Sequence, residues 1–188
     1  MRLIVGITGA SGSIYGIRLL QVLSTVKEVE THLVISDAGA MNIKYETDWE
    51  LKDVKDLASF SHDIGNIGAP IASGSFKTDG MVVIPCSVKT ASALANSYSS
   101  SLMVRAGDVT LKEGRRVVIV FRETPLHKGH LVNLLKLVEM GATIMPPVPA
   151  FYHKPQTIKD IVDHTVGKVL DLFGIEHQLF CRWPGLDT

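Results

Sequence analysis

Four short stretches place hydroxyls, glycines and charge where an apolar run gives way to a helix-like pattern. They are Gly6-Ile7-Thr8-Gly9-Ala10-Ser11-Gly12, Ser36-Asp37-Ala38-Gly39, Pro85-Cys86-Ser87-Val88-Lys89-Thr90 and Arg122-Glu123-Thr124-Pro125. Backbone N–H groups at a helix start bind anions, hydroxyls add donors, and glycine lets a ligand approach the chain closely. The chemistry these residues suit is the holding of phosphate, with Ser11 doubling as a helix N-cap. The glycines at 9, 12 and 16 do not have the G-x-G-x-x-G spacing of a dinucleotide site. Asp37 alone suits a nicotinamide ribose, so that reading is not favoured.

Other reactive types read as structure. His127 and His130 are spaced i, i+3 as metal ligands can be, but no third ligand lies nearby in sequence, and an exposed first helical turn accounts for them better. His153 reads as a surface or hydrogen-bonded residue. Cys86 at a strand end reads as a small buried packing residue rather than a nucleophile. No G-x-S-x-G elbow or Ser-His-Asp order points to a serine hydrolase. Arg105, Lys112, Arg122 and Lys168 are scattered cations, of which Arg122 with Glu123 leaves a buried strand directly and so belongs at a ligand edge.

The elements that must position these groups alternate. The spacing predicts strands over residues 2–8, 29–36, 81–84, 117–121 and 142–145, and helices over 11–26, 50–58, 86–95 and 131–140, with a short helix after residue 41. Leu131, Leu134, Leu135 and Val138 form an amphipathic stripe at i, i+3, i+4 and i+7. After the stiff Pro146-Pro147-Val148-Pro149, Thr157 and Asp160 resemble a capping box opening a final helix. Such alternation is the signature of a three-layer, Rossmann-like doubly wound parallel sheet in a single α/β domain spanning residues 1–188.

Composition narrows the partners. Lys+Arg and Asp+Glu both number 19, leaving no net charge to steer a polyanion, so nucleic acid is a poor partner. Two cysteines far apart make neither a disulfide framework nor a C-x-x-C site and fit a reducing cytoplasm. No apolar stretch reaches the ~18 residues of a membrane span. A mean hydropathy of +0.22 leaves some apolar surface for a subunit interface.

Taken together, the chain resembles the UbiX-type flavin prenyltransferases, a family long described as phenylacrylic or hydroxybenzoate decarboxylases. The resemblance rests on seven motifs in the family's order. They are Thr8-Gly9-Ala10-Ser11-Gly12 with Tyr15-Gly16, Glu46-Thr47-Asp48, Ala72-Ser73-Gly74-Ser75, and Pro85-Cys86-Ser87 with Lys89-Thr90. Arg105 to Glu113, Arg122-Glu123-Thr124-Pro125-Leu126-His127, and Phe151-Tyr152-His153 with Pro155-Gln156 complete the set.

The resemblance implies that FMN binds through Gly9, Ala10, Ser11, Ser36, Ser87, Val88, Lys89, Thr90 and Arg122. It implies a dimethylallyl phosphate whose phosphate is held by Lys112, Tyr152 and Lys168, with Glu123, Glu46 and Ser11 relaying protons. The activity implied is transfer of the dimethylallyl group to N5 and C6 of reduced FMN without a metal, the prenylated FMN passing to a UbiD-type decarboxylase. Homo-oligomers, typically dodecamers with sites at subunit junctions, are implied as well. Position 168 is Lys where many relatives carry Arg, which keeps the charge but loses the bidentate fork. The alternative is an FMN-dependent aromatic-acid decarboxylase, or a decarboxylase subunit.

Overall fold

A computed structural model describes residues 1–185. Two compact units divide the chain, Met1–Pro146 and the segment from Pro147 onward, so the boundary falls inside the proline run. The first carries a six-stranded, wholly parallel sheet in the order β3-β2-β1-β4-β5-β6. Its strands are β1 (Arg2–Ile7), β2 (Glu30–Ile35), β3 (Phe60–His62), β4 (Gly80–Cys86), β5 (Arg116–Phe121) and β6 (Thr143–Ile144). This is the strand order of doubly wound mononucleotide- and dinucleotide-binding folds, with the order reversing between β1 and β4.

Helices α1 (Ser13–Leu23), α2 (Asp37–Glu46) and α3 (Leu51–Asp56) lie within the β1–β2–β3 half. Helices α4 (Val88–Ala95), α5 (Leu102–Lys112) and α6 (Lys128–Glu139) follow β4 and β5. Since α1 packs with α2, and α4 packs with both α5 and α6, the two sets cover opposite faces, as right-handed crossovers demand on either side of the switch. Covered on both faces, the central strands are continuously apolar: β4 is buried along its whole length, and β1 and β5 bury all but their first residue. In register, Val5 lies between Leu33 and Val82, and Val82 between Val5 and Val118.

Close approach of helix to sheet needs glycine at particular places. A Cβ on Gly16 of α1 would stand 2.5 Å from the Ile84 carbonyl oxygen and 2.8 Å from the Ile7 side chain. One on Gly9 would lie 2.4 Å from the Ala38 methyl, so the bare backbone of the first turn sits against that side chain at the start of α2.

Several elements differ from the sequence expectation. Helix α1 begins at Ser13, not Ser11, with Gly12 as its N-cap at φ 103°, a left-handed conformation that glycine alone adopts at little cost. Helix α5 lies outside the expected pattern although it is amphipathic: Leu102, Met103, Ala106, Val109 and Thr110 are buried, while Arg105, Asp108 and Lys112 follow at i, i+3 and i+7 on the opposite side. Strand β3 is only three residues long and half exposed, too short to carry a periodic signal. Strand β4 runs on through Pro85 to Cys86 with a register irregularity after Val83, rather than stopping at Ile84.

The amphipathic stripe of α6 is split: Leu134 packs against the core, but its other three members face outward. Leu131, Leu135 and Val138 are 54%, 57% and 51% exposed, and Leu137 is the one residue of that helix that is buried.

In the second unit α7 (Ile158–Phe173) opens with the expected capping box. The Thr157 hydroxyl accepts from the Asp160 N–H at 3.2 Å, and the Asp160 carboxylate accepts from the Thr157 N–H at 2.9 Å.

The contact at Gly16 yields a direct expectation. Gly16→Ala forces α1 away from the β4 edge and costs about 1–3 kcal/mol of stability, the range for overpacking a tight site, measurable by denaturant unfolding.

Candidate functional site

In an open parallel sheet ligands bind beyond the carboxyl ends of the strands, at the point where strand order reverses. Here that point lies between the exits of β1 and β4. Thr8 ties the two together: its hydroxyl donates to the Pro85 carbonyl at 2.7 Å and accepts from the Ser87 N–H at 2.8 Å, while its own N–H donates to Pro85 at 3.3 Å. Thr8 is buried, so these bonds are shielded from water. On the far side, the Arg122 N–H donates to the Cys86 carbonyl at 3.1 Å, adding the β5 exit to the same edge.

Beside this tie lies a cavity of about 650 Å³, within the range of small-molecule sites. Gly9, Ser36, Ser87, Lys89 and Thr90 line it, so five of the residues expected to hold cofactor converge in one chain. Two helices begin there. Ser36 caps α2 by accepting from the Gly39 N–H at 3.1 Å, and Ser87 caps α4 by accepting from the Thr90 N–H at 3.4 Å. Capping leaves the N–H groups of Val88 and Lys89 free at the first turn of α4, beside the Lys89 ammonium. The N–H groups of Gly9, Ala10 and Ser11 also find no acceptor among the described residues. This donor set fits a phosphate. Ile64, Ala93, Met103 and Val104 supply the apolar wall that a flat ring system needs. Together they fit a flavin mononucleotide.

Sequence reasoning missed the other side of this cavity, made by Ile64 and Gly65 after β3 and by residues of the 98–104 segment, which leads into the first turn of α5. The two pieces are joined by the Leu102 N–H donating to the Ile64 carbonyl at 2.9 Å. The run Ser99-Ser100-Ser101 was the available signal, since Ser100 and Ser101 both face the cavity and Ser101 caps α5.

The first glycine turn divides its donors. Gly12 and Ser13 do not face a ligand: both N–H groups donate to the Glu46 carboxylate, at 2.8 and 3.0 Å, and the Ser13 hydroxyl adds a third bond at 3.1 Å. Glu46 thus caps α1 from the end of α2, filling the role expected of Ser11, whose hydroxyl also supports the carboxylate. Burial pushes the Glu46 carboxyl up, but the combined hydrogen bonds from Ser13, Gly12 and Ser11 outweigh it and hold the group below the usual carboxylate range.

The remaining expected residues fall elsewhere. Glu123 is exposed at the β5 exit, accepting from the Thr124 N–H at 2.9 Å. Arg122 is likewise exposed on that edge. Lys112 ends α5, four residues before β5 begins, so it lies at the amino-terminal edge of the sheet, where it pairs with Glu113. The six residues of β5 separate it from the cavity edge by roughly 20 Å at 3.3 Å per residue. In the second unit, Tyr152 is half exposed with its hydroxyl 3.2 Å from His164 Nε2, and Lys168 lies 3.7 Å from the Asp171 carboxylate.

Cys86 is fully buried and burial pushes its thiol far up, as befits a packing residue. His127 caps α6 through the Gly129 N–H, and its ring stacks on His130 at 3.6 Å between centroids. Among the described residues no three His, Cys, Asp or Glu side chains are grouped to hold a metal. His153 departs from expectation, because both ring nitrogens are buried without a hydrogen-bond partner.

Glu46 offers a pH test. Because its folded value lies below the ordinary 4.5, the stability it contributes is complete above pH 4.5 and is lost as pH falls through the lower folded value. Glu46→Gln removes that acid-limb dependence, so the variant's unfolding midpoint changes less than wild type's between pH 5 and the acid transition.

The Flavoprotein family model matches residues 1–170. Flavin prenyltransferase UbiX of Escherichia coli K12 is 55% identical over 186 residues, covering 98% of each chain. UbiX of Thauera aromatica is 53% identical, covering 98% of this chain and 95% of its own. Among solved structures, a dodecameric FMN-dependent UbiX-like decarboxylase of Escherichia coli O157:H7 superposes with a TM-score of 0.97 at 51% identity, over 98% of this chain and 100% of that one. AnUbiX, solved with FMN and dimethylallyl pyrophosphate, gives a TM-score of 0.97 at 47% identity over 99% of this chain and 98% of that one. A cavity at the strand-order reversal with the donors of a mononucleotide site, and this likeness along nearly the whole length, lead to one conclusion: the chain belongs to the flavin prenyltransferase family of flavoproteins.

Proposed function

We propose that the chain joins the dimethylallyl group of dimethylallyl phosphate to N5 and C6 of reduced FMN, and that residues 1–188 act together as one FMN-binding unit. The observation that carries this reading is the cavity at the β1/β4 switch, where Gly9, Ser36, Ser87, Lys89 and Thr90 meet. Reduced FMN supplies the nucleophilic atoms. The free N–H groups of Gly9, Ala10, Ser11, Val88 and Lys89 hold and orient its phosphate end, with Arg122 on the same edge. Tyr152 and Lys168 bind the substrate phosphate and stabilise the charge it gains on leaving, as fixed donors do in a site closed to water. Glu123 takes up protons released from the flavin. Glu46 acts behind Ser11, holding its hydroxyl in place.

Lys112 belongs to this machinery through a second copy of the chain, since within one copy it sits at the opposite edge of the sheet. The exposed Leu131, Leu135 and Val138 stripe of α6 supports self-assembly, an apolar face of this kind being stable when another surface covers it. The dodecamer of the Escherichia coli O157:H7 relative supports the same symmetry here. Prenylated FMN goes to a UbiD-type decarboxylase. No helix among the described residues is long and apolar enough to cross a membrane, which suits the cytoplasmic location we assign.

Incubation with reduced FMN and either dimethylallyl phosphate or dimethylallyl pyrophosphate tests the activity. The expected outcome is a flavin heavier by one dimethylallyl unit; an unchanged flavin mass with both donors counts against it, and carbon dioxide release from a hydroxybenzoate by the protein alone would favour the decarboxylase reading. Glu123→Gln and Lys112→Ala are expected to retain FMN and each lose turnover, whereas mixing the two variants after dissociation and reassembly restores part of it. Leu135→Glu should dissociate the assembly, read by light scattering.

A further inference from the structure

Tyr152 has one hydroxyl proton, and its oxygen already has a neighbour. His164 of α7 places Nε2 3.2 Å from that oxygen. The imidazole is itself fixed: it is 9% exposed, stacks parallel to His153 with centroids 4.9 Å apart and interplanar angle 6°, and packs against Phe180 at 4.6 Å. Tyr152 is also braced edge-on by the His164, His153 and Trp183 rings. If the phenol donated its proton to Nε2, its oxygen would have only lone pairs to turn toward an anion, and phosphate oxygens accept rather than donate. A phenol that keeps its proton for phosphate can be bonded to this imidazole only by receiving a hydrogen bond from it.

We propose that His164 is a positioning residue for phosphate binding, donating its Nε2–H to the Tyr152 oxygen so that the phenol's own proton is free for the phosphate of the allylic substrate. This rests on the reading of Tyr152 as a phosphate ligand. Its residues all lie within the second unit. The charged and titratable groups acting on His164 there are Tyr152, His153, Lys168 and Asp171. Burial first, then His153 and Lys168, hold the ring below the usual imidazole range against the pull of Asp171, so at neutral pH it carries a single proton. Placing that proton on Nε2 is what the proposal adds. His153 contributes as a stacking partner: neither of its buried nitrogens competes for the phenol.

Calorimetric binding of inorganic phosphate and of dimethylallyl phosphate to the FMN-loaded protein tests this without relying on turnover. His164→Leu removes the donor and should weaken phosphate binding on the order of tenfold, the usual effect of losing one hydrogen bond to a charged system. His164→Gln, whose amide N–H reaches the same oxygen, should restore affinity to within about threefold of wild type. In a Tyr152→Phe background His164→Leu should have no further effect. An equal loss in that background, or a glutamine variant as weak as the leucine one, overturns the proposal. Should His164→Leu fail to fold, His164→Asn, polar but too short to reach the phenol, takes its place with the same expectations. If Tyr152→Phe itself binds phosphate as wild type does, the assignment of Tyr152 is what fails. If that variant is weakened and His164→Leu is not, the role of His164 alone fails.

Discussion

The hydroxyl of Thr8 sits where the order of the sheet reverses, and the geometry of the whole cavity hangs on its two bonds. Helices on either side of the switch leave the sheet toward opposite faces, so the exits of β1 and β4 diverge and a crevice opens between them. Thr8 fixes how far they diverge by binding both the carbonyl of Pro85 and the N–H of Ser87. The second of these bonds also sets the start of α4, because Ser87 is the cap whose hydroxyl orders that helix's first turn. Free donors can be aimed at a ligand only if the residues carrying them are held from behind, and at this edge Thr8 does that holding.

Helix starts are used in two different ways around the crevice. Those of α2 and α4 are capped by their own serines, which satisfies one N–H and leaves others directed outward. That of α1 has no side-chain cap of its own and is closed by Glu46, thirty-odd residues away and on another element. The same physical property, the partial positive charge of exposed N–H groups, is thus spent on ligand at one end and on tertiary structure at the other.

Much of this was legible in the sequence, for reasons that can be traced residue by residue. Short, β-branched apolar runs such as Val82-Val83-Ile84 and Val117 to Phe121, bounded by turn residues, read as buried strands between two layers, and a serine directly after each of Ile35 and Cys86 marks a helix start. The cofactor side of the cavity followed from those local signals. What did not follow is whatever depends on distance in space. The bond from Glu46 to the α1 start joins residues 33 and 34 apart, so the sequence favoured the nearer Ser11 as the cap. On α6 periodicity revealed an apolar stripe but could not say which way it faces, since a stripe that meets a core and one that meets another subunit share the same spacing. Lys112 belonged to a recognisable motif, yet only the direction of α5 shows that it stands at the far edge.

The closure of α1 by Glu46 has a bearing on cofactor choice. In dinucleotide-binding sheets of the same strand order, the pyrophosphate rests on the start of the first helix. Here a carboxylate already occupies that place, held in its charged form by the N–H groups of Gly12 and Ser13. A second phosphate group arriving there would find its donors taken and meet a like charge at close range. A dinucleotide pyrophosphate is therefore disfavoured at the start of α1, while the free N–H groups of Gly9 to Ser11 and of Val88 and Lys89 remain for a single phosphate. One glutamate in this way closes the start of the first helix in a Rossmann-like sheet without altering the path of a strand.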